Sequence, residues 1–250
     1  MPIFSDDFET GEIPSAPWTG EVDTGNYLAR GTPPHSNTYS AKLSAAPSGT
    51  NNAYVHVTFT QQTPVYVRAY ARFENLPDAN GEWLQFLHLG LAGTWFPRTA
   101  QIFNDNGTVK WRFRNFGSGG TALGTTTVAP NTWYCVELES KATSPIYMKI
   151  WNDSGALIET LNIAQAGYNN PDSIRAGPTS TGDGYGVNGY IATAEIDDVV
   201  VDVASIGPLV PPPAGDGAAS GFQGMARDLT LTLRKPFSQR FPKFSPRVIA

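Results

Sequence analysis

The stretch YIATAEIDDVVVDV at residues 190–203 constrains the fold of this chain more than any other. Its β-branched and apolar residues nearly alternate with small and polar ones, which is the period of a β-strand with one buried face. The segment IFSDDFETG at residues 3–11 carries adjacent aspartates, Asp6 and Asp7, that match Asp197 and Asp198 in the later stretch. We therefore expect residues 190–203 to form a closing strand that lies beside the first residues in one sheet.

Strand patterns recur along most of the chain. They are AYVHVTF at 53–59, VYVRAYARF at 65–73, the nearly continuous apolar run EWLQFLHLGL at 82–91, IFNDNGTVKWRF at 102–113, TWYCVELES at 132–140 and IWNDSGALIETL at 150–161. Two of them contain the turn sequences Asn-Gly and Asp-Ser-Gly, which predict hairpins. About a dozen short strands without alternating helices predict an all-β fold, a two-sheet antiparallel jelly-roll β-sandwich.

Composition sets further bounds. The 250 residues, of which 40% are hydrophobic, suffice for one main domain with a sizeable core. The single cysteine, Cys135, excludes an internal disulfide framework and is predicted to be a buried, inert thiol. No run reaches membrane-spanning length, and MPIFSDDF does not have the pattern of a signal peptide. We expect neither a membrane nor a nucleic-acid partner, and synthesis in the cytoplasm.

The amino-acid composition changes after the closing strand. We expect a sandwich at 1–206, a Pro/Gly-rich linker at 207–226 and a docking arm at 227–250. The arm contains the alternating stretch DLTLTLR, which predicts one strand, and six basic residues against one acid. Its predicted docking residues are Leu229, Leu231, Leu233, Phe237, Phe241 and Phe244. We expect them to bind a neighbouring subunit in a homo-oligomer or larger assembly; a disordered solubility tail is the alternative.

One strand carries the most suggestive surface residues. Tyr66, Arg68, Tyr70 and Arg72 alternate with the apolar residues of VYVRAYARF and share one face. Aromatic rings stack on sugars, and guanidinium groups bind carboxylates. Lys110, Arg112 and Arg114 share one side of another strand, and we expect Arg112 to extend the same ligand-binding face. A subunit interface or a plain solvated face are the alternatives.

The pairing of FSDDFE near the start with EIDDVVV near the end, around aromatic strands and N-D-x-G hairpins, resembles the concanavalin A-like lectin/glucanase jelly roll over residues 1–206. The resemblance implies two curved sheets, a concave face that often binds glycans, and a structural calcium ion (Ca²⁺) where the chain ends meet. By this analogy Asp7 and Asp198 would bind the metal through oxygen. The alternative is that one aspartate of each pair faces solvent and the other caps a turn.

The glycosidases of this family carry two glutamates with an aspartate between them on one strand. Glu137 and Glu139 share a face but lack the middle acid and the spacing. Residues 195–202, EIDDVVVD, contain one glutamate only. We therefore expect no glycosidase site.

The alginate lyases of the family are a closer comparison, since they use R-x-E-x-R, Q-x-H and Y-F-K strands in that order. This chain has RAYAR at 68–72, QFLH at 85–88 and YMK at 147–149. Tyr70 stands where the lyases have glutamate, and Gln85 and His88 are three apart, which places them on opposite faces of a regular strand. We expect His88 to be a core residue and no catalytic site to form.

These observations favour a non-enzymatic, lectin-like structural or surface-displayed module. The arm and the lack of cysteine bridges make the chain similar to virion structural proteins of tailed phages, such as capsid decorations or tail appendages. A carbohydrate-binding module and an alginate-type polysaccharide lyase are the alternatives.

Overall fold

The computed structural model describes residues 2–10, 13, 18–23, 28–32, 34–36, 38–45, 53–92, 95–117, 119–164, 170–178 and 192–209. Within these ranges the chain contains strands and turns and no helix, so no helix there could cross a membrane. Most of the linker and the whole arm lie outside the described residues, including the predicted docking residues Leu229, Leu231, Leu233, Phe237, Phe241 and Phe244.

Fifteen strands are present in the described part of the chain. In chain order they are β1 (Phe4–Asp6), β2 (Gly20–Asp23), β3 (Leu28–Gly31), β4 (Ser40–Ala45), β5 (Ala53–Thr58), β6 (Val65–Phe73), β7 (Trp83–Leu91), β8 (Trp95–Asp105), β9 (Thr108–Asn115), β10 (Gly120–Thr127), β11 (Trp133–Ser140), β12 (Ile146–Asn152), β13 (Leu157–Ile163), β14 (Ser173–Ala176) and β15 (Ala192–Asp202). The sequence patterns predict most of the long strands, whereas β2, β3, β10 and β14 follow no clear pattern.

The strands form two antiparallel sheets. Sheet A has eight strands in the order β13-β12-β11-β6-β15-β4-β3, with β1 paired to β15. Sheet B has seven strands in the order β10-β9-β8-β7-β14-β5-β2. Because the apolar faces of both sheets are buried in one cluster, the molecule is a β-sandwich, as the alternation predicts.

Strand β15 closes sheet A. One of its edges pairs with β6, and the other pairs first with β4 and then with β1. Phe4 lies opposite Val201, and Asp6 lies opposite Val199, so the prediction that residues 190–203 contribute a strand beside the first residues in one sheet is confirmed. A bulge interrupts the β6 pairing between Asp197 and Val200.

The core follows the predicted alternation of β6. Its inward residues are Val65, Val67, Ala69, Ala71 and Phe73, and all five are fully buried. Cys135 is also fully buried, in a smaller cluster with Tyr70, Trp133 and Trp151 on the other face of sheet A. Burial raises the pKa of the Cys135 thiol to about 12, which leaves it protonated and inert near neutral pH.

Strand β7 departs from regular alternation. Gln85 lies opposite Gln101 and His88 opposite Thr99, but the register shifts between Gln85 and Leu87. Phe86 and Leu87 both pack in the core as a result. The bulge places Gln85 and His88 on the same face, so the prediction that they lie on opposite faces is wrong. That prediction assumed a regular strand, whereas a bulge adds one residue and reverses the alternation after it.

Candidate functional site

The predicted ligand-binding stripe lies on the outer face of sheet A, where its members contact other parts of the protein. The Tyr66 hydroxyl donates to Glu139 Oε1 (3.0 Å), and Arg72 Nη1 donates to Glu195 Oε2 (2.8 Å). Arg68 and Tyr70 are buried. These contacts hold the sheet together, and glycan binding by this stripe stays a prediction.

Residues 205–209, which we call the strap, run over the same face. The carboxylate of Glu137 accepts hydrogen bonds from Ser205 Oγ (2.8 Å), Ile206 N (2.6 Å) and Gly207 N (2.9 Å). Arg68 donates to the Gly207 carbonyl, and the Tyr70 hydroxyl accepts from Leu209 N (2.8 Å). Two members of the predicted stripe therefore hold the strap.

The predicted metal ligands lie at one pocket where β1 pairs with β15. Asp7 and Asp198 border one pocket of about 200 Å³, together with Asp6 and Arg68. Asp198 already contacts His35 Nδ1 (2.9 Å) and accepts from Ser36 Oγ. No group of three metal-binding side chains occurs among the described residues, and the Arg68 guanidinium repels cations. The described side chains thus fit calcium poorly, and calcium binding at Asp7 and Asp198 stays a prediction.

Asp197, beside this pocket, is completely buried. Its carboxylate accepts from the backbone amides of His35 (3.0 Å), Ser36 (3.2 Å) and Asp198 (2.8 Å). Burial, together with the negative charge of Asp198, raises the pKa of Asp197 to about 8. The aspartate pair therefore holds residues 35–36 against β15.

Arg112 does not extend the predicted stripe, because β9 belongs to sheet B. Lys110, Arg112 and Arg114 do share a face, as their alternation predicts, but it is the outer face of the other sheet. The error arose because strand period fixes which residues share a face and leaves open which sheet the strand joins.

The outer face of sheet B, which we call face B, carries two rows of polar side chains across the strands. The registers join His56, Arg175, His88, Thr99, Arg114 and Thr121 in one row and Gln85, Gln101, Arg112 and Leu123 in the other. Gln85, His88, Thr99 and Gln101 are each at most 1% exposed and form the floor of the face.

Arg112 is fixed at one end of this floor. Its guanidinium carbon lies 4.1 Å from the ring centre of Phe103 and 5.1 Å from that of Trp83. Its Nε donates to Gln101 Oε1 (2.5 Å), and Gln101 Nε2 donates to Thr99 Oγ1 (3.0 Å). Such stacking and hydrogen bonding hold the guanidinium plane in one orientation.

Two neighbouring groups on face B have unmet hydrogen-bonding capacity. Arg112 Nη2 is buried and has no hydrogen-bond partner within the described ranges. Neither Nε2 nor Oε1 of Gln85, in the same row, has a partner there. Buried polar groups without partners are uncommon in folded proteins, so these atoms mark a place where a ligand could bind.

The sequence predicted Arg112 as a ligand-binding residue but did not predict which residues surround it. Trp83, Phe103 and Gln101 come from two other strands, and their approach to Arg112 depends on long-range pairing. The signal in the sequence was the alternating KWRFR of β9, which shows a basic face without showing its partners.

The three segments that resemble the alginate lyase motifs do not converge. Residues 68–72 on β6 and 147–149 on β12 lie in sheet A, whereas residues 85–88 on β7 lie in sheet B. His88 instead lies opposite Arg175 of β14, and Gln85 lies in one row with Arg112 of β9.

Two packed antiparallel sheets in this strand order form a jelly-roll β-sandwich. No protein-family model matches the chain, and no curated protein matches it in sequence.

Solved structures do match the fold. Cellulose induced protein, Cip1, is 18% identical with a TM-score of 0.58, over 82% of this chain and 99% of its own. The marine PL7 alginate lyase AlyA1 from Zobellia galactanivorans is 11% identical with a TM-score of 0.49, over 75% and 85%. The botulinum neurotoxin serotype D/C VPI 5993 binding domain is 14% identical with a TM-score of 0.49, over 82% and 49%. These identities show a shared fold only.

Proposed function

We propose that this protein binds a polysaccharide through face B. The observation that carries the proposal is the Arg112 guanidinium, which lies over the Phe103 and Trp83 rings, has no partner for Nη2 among the described residues and stands in one row with Gln85. Leaving buried donors and acceptors unpaired costs about 1–3 kcal/mol for each group. A sugar supplies hydroxyl groups that satisfy both kinds of atom.

The aromatic rings support the same conclusion. Trp83 and Phe103 are partly exposed at the rim, while the polar floor between the strands is buried. A rim of rings around a small set of fixed polar groups is the usual composition of a small-molecule or glycan site. The fold is consistent with this role, but the site carries the argument.

Gln85→Leu is the sharpest test. The substitution removes the two unpartnered amide atoms while keeping an apolar volume of similar size, so the thermal midpoint should stay unchanged or rise. Binding to soluble polysaccharides, measured by affinity electrophoresis and calorimetry over a panel of neutral and acidic polymers, should weaken about tenfold or more.

Asn162→Leu is the matched control, because it also replaces an amide by leucine but at an exposed position on the outer face of β13 in sheet A. It should leave binding unchanged. Wild-type protein that binds no polymer of the panel, or Gln85→Leu protein that binds as well as wild type, would overturn the proposal.

The other functions predicted from the sequence remain proposals with their own tests. A polyuronide lyase would release unsaturated uronates with new ultraviolet absorbance, and the split of the motif strands between the sheets argues against that activity. A virion structural role would depend on the arm at 227–250, which lies outside the described residues.

A further inference from the structure

The row of face B that contains Gln85, Gln101 and Arg112 ends in an apolar side chain. Leu123 of β10 lies directly opposite Arg112 and is 40% exposed. Directly opposite residues of an antiparallel pair have their Cβ atoms about 5 Å apart on the same face. Across the strands, the row therefore changes from two amides to a guanidinium and then to an exposed alkyl group at the edge of sheet B.

Other residues than Leu123 hold β10 in place. Ala122 packs against the core. Gly124 is buried, and a Cβ atom there would lie 2.9 Å from Glu159 Oε2 and 3.3 Å from the Trp111 carbonyl oxygen. Leu123 alternates with these two residues and points to the outer face, so its exposed surface is accessible to a ligand.

Arg112 and Leu123 together define what a ligand must supply. One exposed leucine is ordinary on a protein surface, but this leucine adjoins a buried donor, Arg112 Nη2, that has no acceptor within the described ranges. Burial, together with the positive charge of Arg114, lowers the pKa of Arg112 to about 9, so the guanidinium stays charged near neutral pH. Because a guanidinium only donates, the ligand must place an acceptor oxygen there and an apolar group about one strand spacing, or 4.8 Å, away.

An acyl group has both parts on one carbon. The carbonyl oxygen of an ester or amide accepts a hydrogen bond, which a charged donor strengthens, and the attached alkyl group is apolar. A hydroxyl or a carboxylate would satisfy Arg112 but leave Leu123 in water. Gln85 lies two strands from Arg112, roughly 10 Å away, and its amide suits a hydroxyl of another sugar in the same polymer.

We infer that the polysaccharide bound by face B carries acyl groups, of which acetyl is the smallest, and that the acyl carbonyl binds Arg112 while the alkyl part contacts Leu123. The inference rests on the proposed polysaccharide-binding function and specifies its ligand class. Leu123 then distinguishes an acylated polymer from the unmodified one, because only the acylated polymer supplies the apolar contact.

The first experiment compares matched ligands with the wild-type protein. Short O-acetylated oligosaccharides of glucomannan and xylan are each paired with the same material after mild alkali has removed the acetyl groups, and the best-binding polymer of the panel is acetylated chemically and compared with its parent. We expect the acetylated form to bind about tenfold or more tightly.

Equal affinity of the two forms would overturn the inference and leave polysaccharide binding intact. Tighter binding by uronate oligosaccharides without acyl groups would also overturn the inference, since it would assign Arg112 to a carboxylate. Binding by none of the ligands, acetylated or not, would overturn the proposed function itself.

The second experiment tests Leu123. Leu123→Ala should weaken binding of the acetylated ligand about fivefold, because part of the apolar contact is lost, and leave the deacetylated ligand unaffected. Leu157→Ala is the matched control, since Leu157 is 55% exposed on β13 of sheet A and loses the same atoms. It should leave both affinities unchanged. An unchanged affinity in Leu123→Ala, an equal loss for both ligand forms, or an equal loss in Leu157→Ala would overturn the inference.

A longer acyl group gives an independent measurement. Propionyl adds one methylene beside Leu123, so the propionylated ligand should bind the wild-type protein about twofold to fourfold more tightly than the acetylated one. This gain should shrink in Leu123→Ala, as expected of two groups in contact. No gain in the wild-type protein, or an equal gain in the variant, would overturn the inference.

Discussion

Glu137 should control the attachment of the strap. Its carboxylate, 2% exposed, accepts three hydrogen bonds from Ser205, Ile206 and Gly207. Glu137→Leu removes every acceptor while keeping a buried side chain of similar size. Because the freed donors can turn to water, each lost bond costs about 0.5–1.5 kcal/mol, and the free energy of opening the strap should fall by about 2–4 kcal/mol.

Hydrogen exchange measures this opening directly. Since 1.4 kcal/mol is a factor of ten, exchange of the Ile206 and Gly207 amides should accelerate about 30-fold to 700-fold, while core amides of β6 change little. Glu137→Gln keeps one acceptor oxygen and should have a smaller effect. Glu139→Leu, which alters the same face through the contacts with Tyr66 and Lys141, should leave strap exchange unchanged. Unchanged exchange in Glu137→Leu, or equal acceleration throughout the core, would refute the reasoning.

Three further outcomes are expected. If Asp7 and Asp198 bind calcium, added calcium should raise the thermal midpoint and a chelator should lower it; a midpoint unmoved by either would remove the prediction. Folding raises the pKa of the Asp197 carboxyl group from 3.8 to about 8, so the folded protein binds the carboxyl proton more tightly than the unfolded chain does. The contribution of Asp197 to the free energy of unfolding should therefore decline as pH rises through that range, and the pH dependence should be shallower in Asp197→Asn. Truncation after residue 209 keeps the strap and should abolish any self-assembly in light scattering while the sandwich stays folded; unchanged particle size would contradict docking by the arm.

The period of the strands predicts local faces well. The inward residues of β6 were predicted from alternation alone, because a pleated strand must send successive side chains to opposite sides. The pairing of the first and last strands of the sandwich was predicted from two matching patterns with aspartate pairs. Both predictions rest on information carried within one or two short segments.

The candidate site depends on information that short segments do not carry. The bulge in β7 forms where Phe86 and Leu87 both pack into the core, so the shared face of Gln85 and His88 follows from tertiary packing. Arg112 was a predicted ligand residue, but its assignment to sheet B depends on pairing between β8 and β9. The place of β14 between β7 and β5 could not be predicted, because this strand is four residues long and has no clear pattern.

The strap also determines how the sandwich would bear a mechanical load. Tension on the chain beyond residue 209 would reach the Leu209–Tyr70 hydrogen bond and the three bonds to Glu137 before it reached β15. Strand β15 joins β6, β4 and β1, so its removal would open the centre of sheet A. The hydrogen bonds of the strap would therefore break first under such tension, and they protect β15 from force applied through the chain beyond residue 209.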